Sequence, residues 1–170
     1  MIKKTSLFNI ESFIPLSLSY LFYTQILSGG YVYNYKDSTM ESSVCSNSSM
    51  CNLKFALKKC NYSDNWSIHG LWLDYSNGSY PSFCSTMEFG NLSKGLENEM
   101  EKKWYSCDGG DSSFWNHELQ KHGSCIRDYI IKGLDSNRYF RDTLKMYDGM
   151  ESVMDYVCNS NSTQCFIDLK

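Results

Sequence analysis

The chain has 170 residues and shows no internal repeat or linker, a length suited to one compact domain with a real hydrophobic core. Its 16 basic and 19 acidic residues give a net charge of -3, which excludes a protein that coats nucleic acid through a broad basic face. A polyanion would have to meet a local cationic site.

At the N-terminus, Lys3 and Lys4 precede the apolar stretch FIPLSLSYLFYTQIL, and the small residues Ser28, Gly29 and Gly30 follow it, as in a signal peptide. The same stretch sets Leu16, Leu18, Tyr20 and Phe22 at alternate positions, as in a half-buried strand. Residues 1–28 are expected to form one or the other. Interrupted by Pro15, the stretch is shorter than the roughly 20 residues that span a bilayer, so no transmembrane helix is expected.

Residues 36–65 are rich in Ser, Asn, Lys and Cys and read as loops around a short helix near Leu53 to Leu57. The segment NWSIHGLWLDY is rich in β-favouring residues and predicts a strand that leaves into the turn SNGSYPS. Phe89, Leu92, Leu96, Met100 and Trp104 recur at spacings of three and four, one core-facing side of an amphipathic helix. A second helix is expected to start with Ser112 or Ser113 as N-cap and to carry FWNHELQKHGSC. A third runs through NRYFRDTLKMY, and the tail holds Cys158 and Cys165 around the polar turn NSNSTQ. Strands and helices in mixed order predict an α+β fold.

Eight cysteines, at 45, 51, 60, 84, 107, 125, 158 and 165, lack the paired spacing of zinc ribbons and read as four disulfides. Six N-x-S/T sequons, at Asn47, Asn61, Asn65, Asn77, Asn91 and Asn161, also belong to the secretory route.

The chain has three histidines, and all lie in two tryptophan-containing segments: His69 in WSIHGLW, His117 and His122 in FWNHELQKHGSC. On an ideal helix, counted from His117, Lys121 falls at roughly 40°, Glu118 at roughly 100° and His122 at roughly 140°, so the four polar groups share one face. Leu119, at roughly 200°, is left for the core. The pattern is not the H-E-x-x-H of zinc peptidases, because His117 and His122 are five apart rather than four. Two imidazoles facing across a cleft suit attack by a ribose 2′-hydroxyl on its neighbouring phosphate: one takes the hydroxyl proton while the other protonates the departing 5′-oxygen. Lys121 is placed to meet the charge that builds on the phosphoryl oxygens, and no metal is required.

The segments WSIHGLWLD and FWNHELQKHGSC together resemble the two active-site segments of the ribonuclease T2 family, whose usual forms are close to F-T-I-H-G-L-W-P-D and F-W-x-H-E-W-x-K-H-G-T-C. The likeness extends from about Cys45 to Tyr147 and includes YPSFC and YFRDTLKMY. It implies a central antiparallel sheet with packed helices, residues 29–170 forming one such domain. It implies His122 as general base and His69 as general acid, exchanging roles when water opens the cyclic phosphate. Glu118 and Lys121 would stabilise the phosphorane, His117 would bind phosphate, and Trp72 and Asp74 would contact a base. The implied disulfides are Cys84 with Cys125 and Cys158 with Cys165; the other four allow Cys45 with Cys51 and Cys60 with Cys107, which is preferred, or Cys51 with Cys60 and Cys45 with Cys107. Leu73 stands for the usual proline, Leu119 for tryptophan and Ser124 for threonine, and the part after Cys125 is shorter than usual.

The expectation is therefore a secreted or lysosomal/vacuolar acid endoribonuclease of low base specificity, a monomer whose partner is RNA, without cofactor, metal or stable membrane association. The competing expectation is a secreted glycoprotein that keeps the fold and binds without turnover, motivated by the shortened C-terminal part.

Overall fold

The computed structural model describes residues 51–169. Three antiparallel strands, β1 (Cys51–Lys58), β2 (Ser67–Tyr75) and β3 (Gln164–Leu169), form a sheet in the order β2-β1-β3. The expected short helix at Leu53 to Leu57 is thus corrected to a central strand. Its Leu, Ala and Lys residues are good helix formers, but Leu53, Phe55 and Leu57 alternate with Lys54, Ala56 and Lys58, and neighbours on both edges satisfy the extended backbone. The alternation prevails over propensity.

Helix α1 (Lys94–Lys103) starts where Ser93 Oγ accepts from the Leu96 backbone N–H at 3.3 Å. Met100 and the C-cap Trp104 are fully buried as expected, but Phe89 and Leu92 precede the helix and reach the core from the loop. Helix α2 (Asp111–Glu118) has Gly110 as N-cap, at φ 76°, in place of the expected Ser112 or Ser113, two or three residues earlier, and the Ser113 hydroxyl donates back to the Gly110 carbonyl at 2.7 Å. It continues through a π-turn (Leu119–Gly123) into α3 (Ser124–Tyr129). Within the turn the Ser124 N–H reaches back to the Leu119 carbonyl, five residues earlier.

Helix α4 (Ser136–Met150) is capped by Asp135, whose carboxylate accepts from the Arg138 N–H at 2.7 Å. Its Tyr139 and Phe140 are fully buried, each contributing roughly 1.5–3 kcal/mol by leaving water. The Tyr139 hydroxyl donates to the Leu71 carbonyl at 3.2 Å and that of Tyr147 to the Trp66 carbonyl at 2.6 Å, so the helix grips the core face of β2. A 3₁₀ turn (Glu151–Val153) and the short helix α5 (Met154–Val157) lead to Cys158 and then β3.

Disulfides join Cys60 to Cys107, Cys84 to Cys125 and Cys158 to Cys165. The preferred partner pair Cys45 and Cys51, and the alternatives for residues 1–28, lie outside what the structure describes. Among the described residues no helix is long and apolar enough to cross a membrane.

The Cys84–Cys125 bridge closes 41 residues of separation and Cys158–Cys165 only 7. On chain-entropy grounds, replacing both cysteines by alanine should lower stability by about 4 kcal/mol for the first bridge and about 2.5 kcal/mol for the second. Urea unfolding of the two double variants checks this, and the reverse order would contradict it.

Candidate active site

In a regular strand His69 and Trp72 would point to opposite faces, because side chains alternate. Here Ala56 pairs with Gly70 and Leu57 with Ile68, leaving His69 as the extra residue of a β-bulge. Ile68, Leu71 and Leu73 then fill the core, while His69 and Trp72 share the opposite face. The bulge is held from outside the strand: the Trp104 indole N–H donates to the His69 carbonyl at 2.9 Å, and the Trp115 indole N–H donates to the Trp104 carbonyl at 2.6 Å.

The rod of α2, the π-turn and α3 lies across this face. Glu118, 2 % exposed, accepts from the Trp72 indole N–H through Oε2 at 2.9 Å and places Oε1 3.7 Å from His69 Nε2. His122, equally buried, stacks on the Trp72 indole with ring centroids 4.7 Å apart and planes inclined by 21°. The His69 ring meets the same indole edge-on at 5.0 Å. Trp72 is therefore the common neighbour of both imidazoles and of the carboxyl group. Gly70 makes the approach feasible: a Cβ there would land on the Glu118 carboxylate and 2.5 Å from Trp72 Nε1.

The loop after β2 closes the other side. The Phe83 N–H donates to the Lys121 carbonyl at 2.9 Å, the Cys84 N–H to Ser124 Oγ at 3.1 Å and the Met87 N–H to Gln120 Oε1 at 3.0 Å, beside the Cys84–Cys125 bridge. Phe83 sits at φ 52°, a strained value for a side-chain-bearing residue, at the point where the loop turns onto the helix. The loop brings Tyr80 to 6.0 Å from the His122 ring and 5.9 Å from Lys121 Nζ.

Burial dominates the electrostatics. It lowers His69 to about 4, helped by the charges of Lys58, Lys121 and His117, and His122 to about 3, helped by Lys121, His69 and His117. Burial raises Glu118 from the usual 4.5 to about 7, against the opposing pull of the Trp72 hydrogen bond, Lys121 and Lys58. Both imidazoles also carry a buried Nδ1 with no protein partner among the described residues, so no hydrogen bond at that nitrogen fixes the tautomer.

His69, Trp72, Glu118 and His122 come together in one cluster. The four polar groups of the helix do not form the common face expected from an ideal α-helix, however: Glu118 and His122 are buried against β2, Lys121 is half-buried, and His117 is exposed at the rim, 6.0 Å from the Phe83 ring. Glu118 and His122, four residues apart, stay together across the start of the π-turn. Leu119 is fully buried, as the ideal count expects. Asp74 is largely buried and paired with Lys54 of β1. Sequence reasoning missed Gly70, which a glycine inside a strand pattern signals, and Lys58, Tyr80, Phe114 and Phe166, which reach the site from separate elements. Among the described residues no three His, Cys, Asp or Glu side chains are grouped so as to hold a metal ion.

Because Glu118 titrates higher when folded than when unfolded, its ionisation opposes folding, fully above about pH 7 and not at all below about 4.5. Glu118→Gln should therefore raise stability by about 1–3 kcal/mol at pH 8 and leave it nearly unchanged at pH 4, read by urea unfolding at both values. An equal effect at the two pH values would refute the buried-carboxyl assignment.

The family profile described as Ribonuclease T2 family matches residues 33–161. Ribonuclease T2 of Aspergillus oryzae (strain ATCC 42149 / RIB 40) is 35% identical over 107 residues, covering 53% of this chain and 38% of that protein. Ribonuclease DdI of Dictyostelium discoideum is 38% identical over 106 residues, covering 57% of this chain and 46% of its own length. The matching stretch thus spans less than half of either relative. Among solved structures, the T2 ribonuclease Actibind superposes with a TM-score of 0.54 at 25% identity, covering 71% of this chain and 62% of that one. Japanese pear S3-RNase shares the fold, with a TM-score of 0.52 at 24% identity over 63% of this chain and 62% of that one. With its profile match running through both histidine segments and the relatives agreeing, this chain belongs to the ribonuclease T2 family.

Proposed function

We propose that the protein is an endoribonuclease that cleaves single-stranded RNA by metal-independent transesterification through a 2′,3′-cyclic phosphate, with low base specificity. The observation that carries this reading is the packing of two imidazoles and a carboxyl group against one indole, each within a ring width of Trp72. His122 takes the 2′-hydroxyl proton and His69 protonates the leaving 5′-oxygen; in the second step water opens the cyclic phosphate with the roles exchanged, giving a 3′-phosphate. Glu118 and Lys121 stabilise the phosphorane, and His117 at the rim binds phosphate. Trp72 and the exposed Tyr80 offer aromatic faces to a base, and Asp74, oriented by Lys54, offers it a hydrogen-bond acceptor. Stacking accepts any base.

Three disulfides, and the exposure of the sequon residues Asn61, Asn65, Asn77, Asn91 and Asn161, favour a glycosylated protein of the secretory route, secreted or lysosomal/vacuolar. Acid conditions also suit the proton inventory. The productive form carries a proton on His69 and none on His122, so in the free enzyme it is most populated between about 3 and 4 and declines as pH rises through the His69 value. A bound phosphate anion favours imidazolium and moves that decline upward.

Digestion of a fluorescent RNA by the oxidised protein in excess EDTA tests the reading. Cleavage should leave cyclic-phosphate ends, kcat/KM should fall toward tenfold per pH unit on the alkaline side, and kcat should fall at higher pH than kcat/KM. His69→Ala or His122→Ala should reduce cleavage by at least about 10³-fold. Activity surviving both changes would overturn the assignment, and no cleavage by folded wild type would favour a binding protein instead.

A further inference from the structure

Lys58, at the end of β1, is 8 % exposed, yet its ammonium has no carboxylate or other acceptor within bonding distance among the described residues. Its Nζ lies 3.6 Å from the centroid of the Phe114 ring, and that ring lies 5.7 Å from His69. Holding an ammonium largely out of water on an aromatic face, with Glu118, Asp111 and Asp108 near enough to act on its charge but none bonded to it, is unfavourable, and an apolar side chain would pack there as well. The arrangement makes sense if an anion arrives.

The order of residues along the sheet identifies which anion. Lys54 pairs with Trp72 and Lys58 with Ser67, so moving along the site face one passes Trp72, then Gly70 under Glu118, then His69, then Lys58. On the ribonuclease reading, on which this inference rests, the nucleoside bearing the attacking 2′-hydroxyl lies toward Trp72 and His122, and the leaving 5′-oxygen is at His69. The departing strand then runs across Phe114. The geometry points to Lys58 as the binding residue for the phosphate one nucleotide downstream of the scissile bond, making the enzyme selective for RNA that continues beyond the leaving nucleoside. The groups facing Lys58 are Glu118 and Asp111 of α2, Asp108 before it, and His69 of β2. Burial lowers Lys58 to about 8 against the pull of the three carboxyl groups, so it stays cationic throughout the acid range.

A dinucleotide whose first sugar is 2′-deoxy cannot be cleaved, so its binding reads the subsite without catalysis. Its affinity at pH 5 and low salt should be compared with and without a 3′-phosphate, for wild type, Lys58→Gln and Lys58→Arg. The added phosphate should tighten wild-type binding about tenfold and the Arg variant's similarly, but less than about threefold in Lys58→Gln. A wild-type ratio near one, or an undiminished ratio in a folded Lys58→Gln protein, would overturn the proposal. Failure of the ribonuclease reading would show instead as absent RNA cleavage, which this binding ratio does not measure.

Discussion

The site depends on one extra residue in one strand. Because His69 is a bulge, the polypeptide can commit Ile68, Leu71 and Leu73 to the core and still turn His69 and Trp72 toward the same helix. A strand without that residue would send one of them into the apolar interior. The indole N–H of Trp104 on the bulge carbonyl and the side-chain-free Gly70 beside it are what this departure from regular pairing requires. On the helical side Glu118 and His122, four residues apart and therefore neighbours on the rod, meet Trp72 together where the helix passes through the π-turn.

These two irregularities create a dry cluster of groups that would individually prefer water. Two imidazoles are held neutral over most of the pH range, a carboxyl group is held protonated into the neutral range, and an ammonium rests on a phenyl ring. Each opposes folding to some degree, and the apolar packing of α4 with its two tyrosine hydroxyls on β2, together with the disulfides, offsets it. The proposed transesterification would gain from the same desolvation: charges would act at short range on a phosphate that displaces water, and protons would move between two imidazoles whose affinities differ little.

Much of this is legible in the sequence. β2 and its turn follow from NWSIHGLWLDY and SNGSYPS, and α4 from the segment NRYFRDTLKMY, because composition and turn chemistry are local signals. The concentration of histidine in two segments pointed to the residues that cluster on Trp72. What stayed hidden is non-local or lacks a compositional signature. β1 is written in helix-forming residues and is a strand only because β2 and β3 flank it. Gly110 caps α2 although Ser112 and Ser113 are better cap formers, since the cap depends on where the chain turns after Cys107. A bulge shows only in the register of two strands, and a π-turn only in the hydrogen bonds it makes; nor does a count along one helix tell which flank of its polar face will lie under β2, and here His122 is buried and His117 exposed. Lys58 was obscured for the same reason as β1.

The bulge and the helical rod packed on it bury His69 and His122 together against Trp72, and with three histidines in the chain this burial is directly measurable. Proton NMR titration of the imidazole C–H signals, assigned with His69→Ala and His122→Ala, should show these two changing only well below the usual range, near about 4 and about 3. If instead both titrate near 6.5 in the folded protein, the pair is solvated, and the account of a dry, Trp72-centred site is wrong.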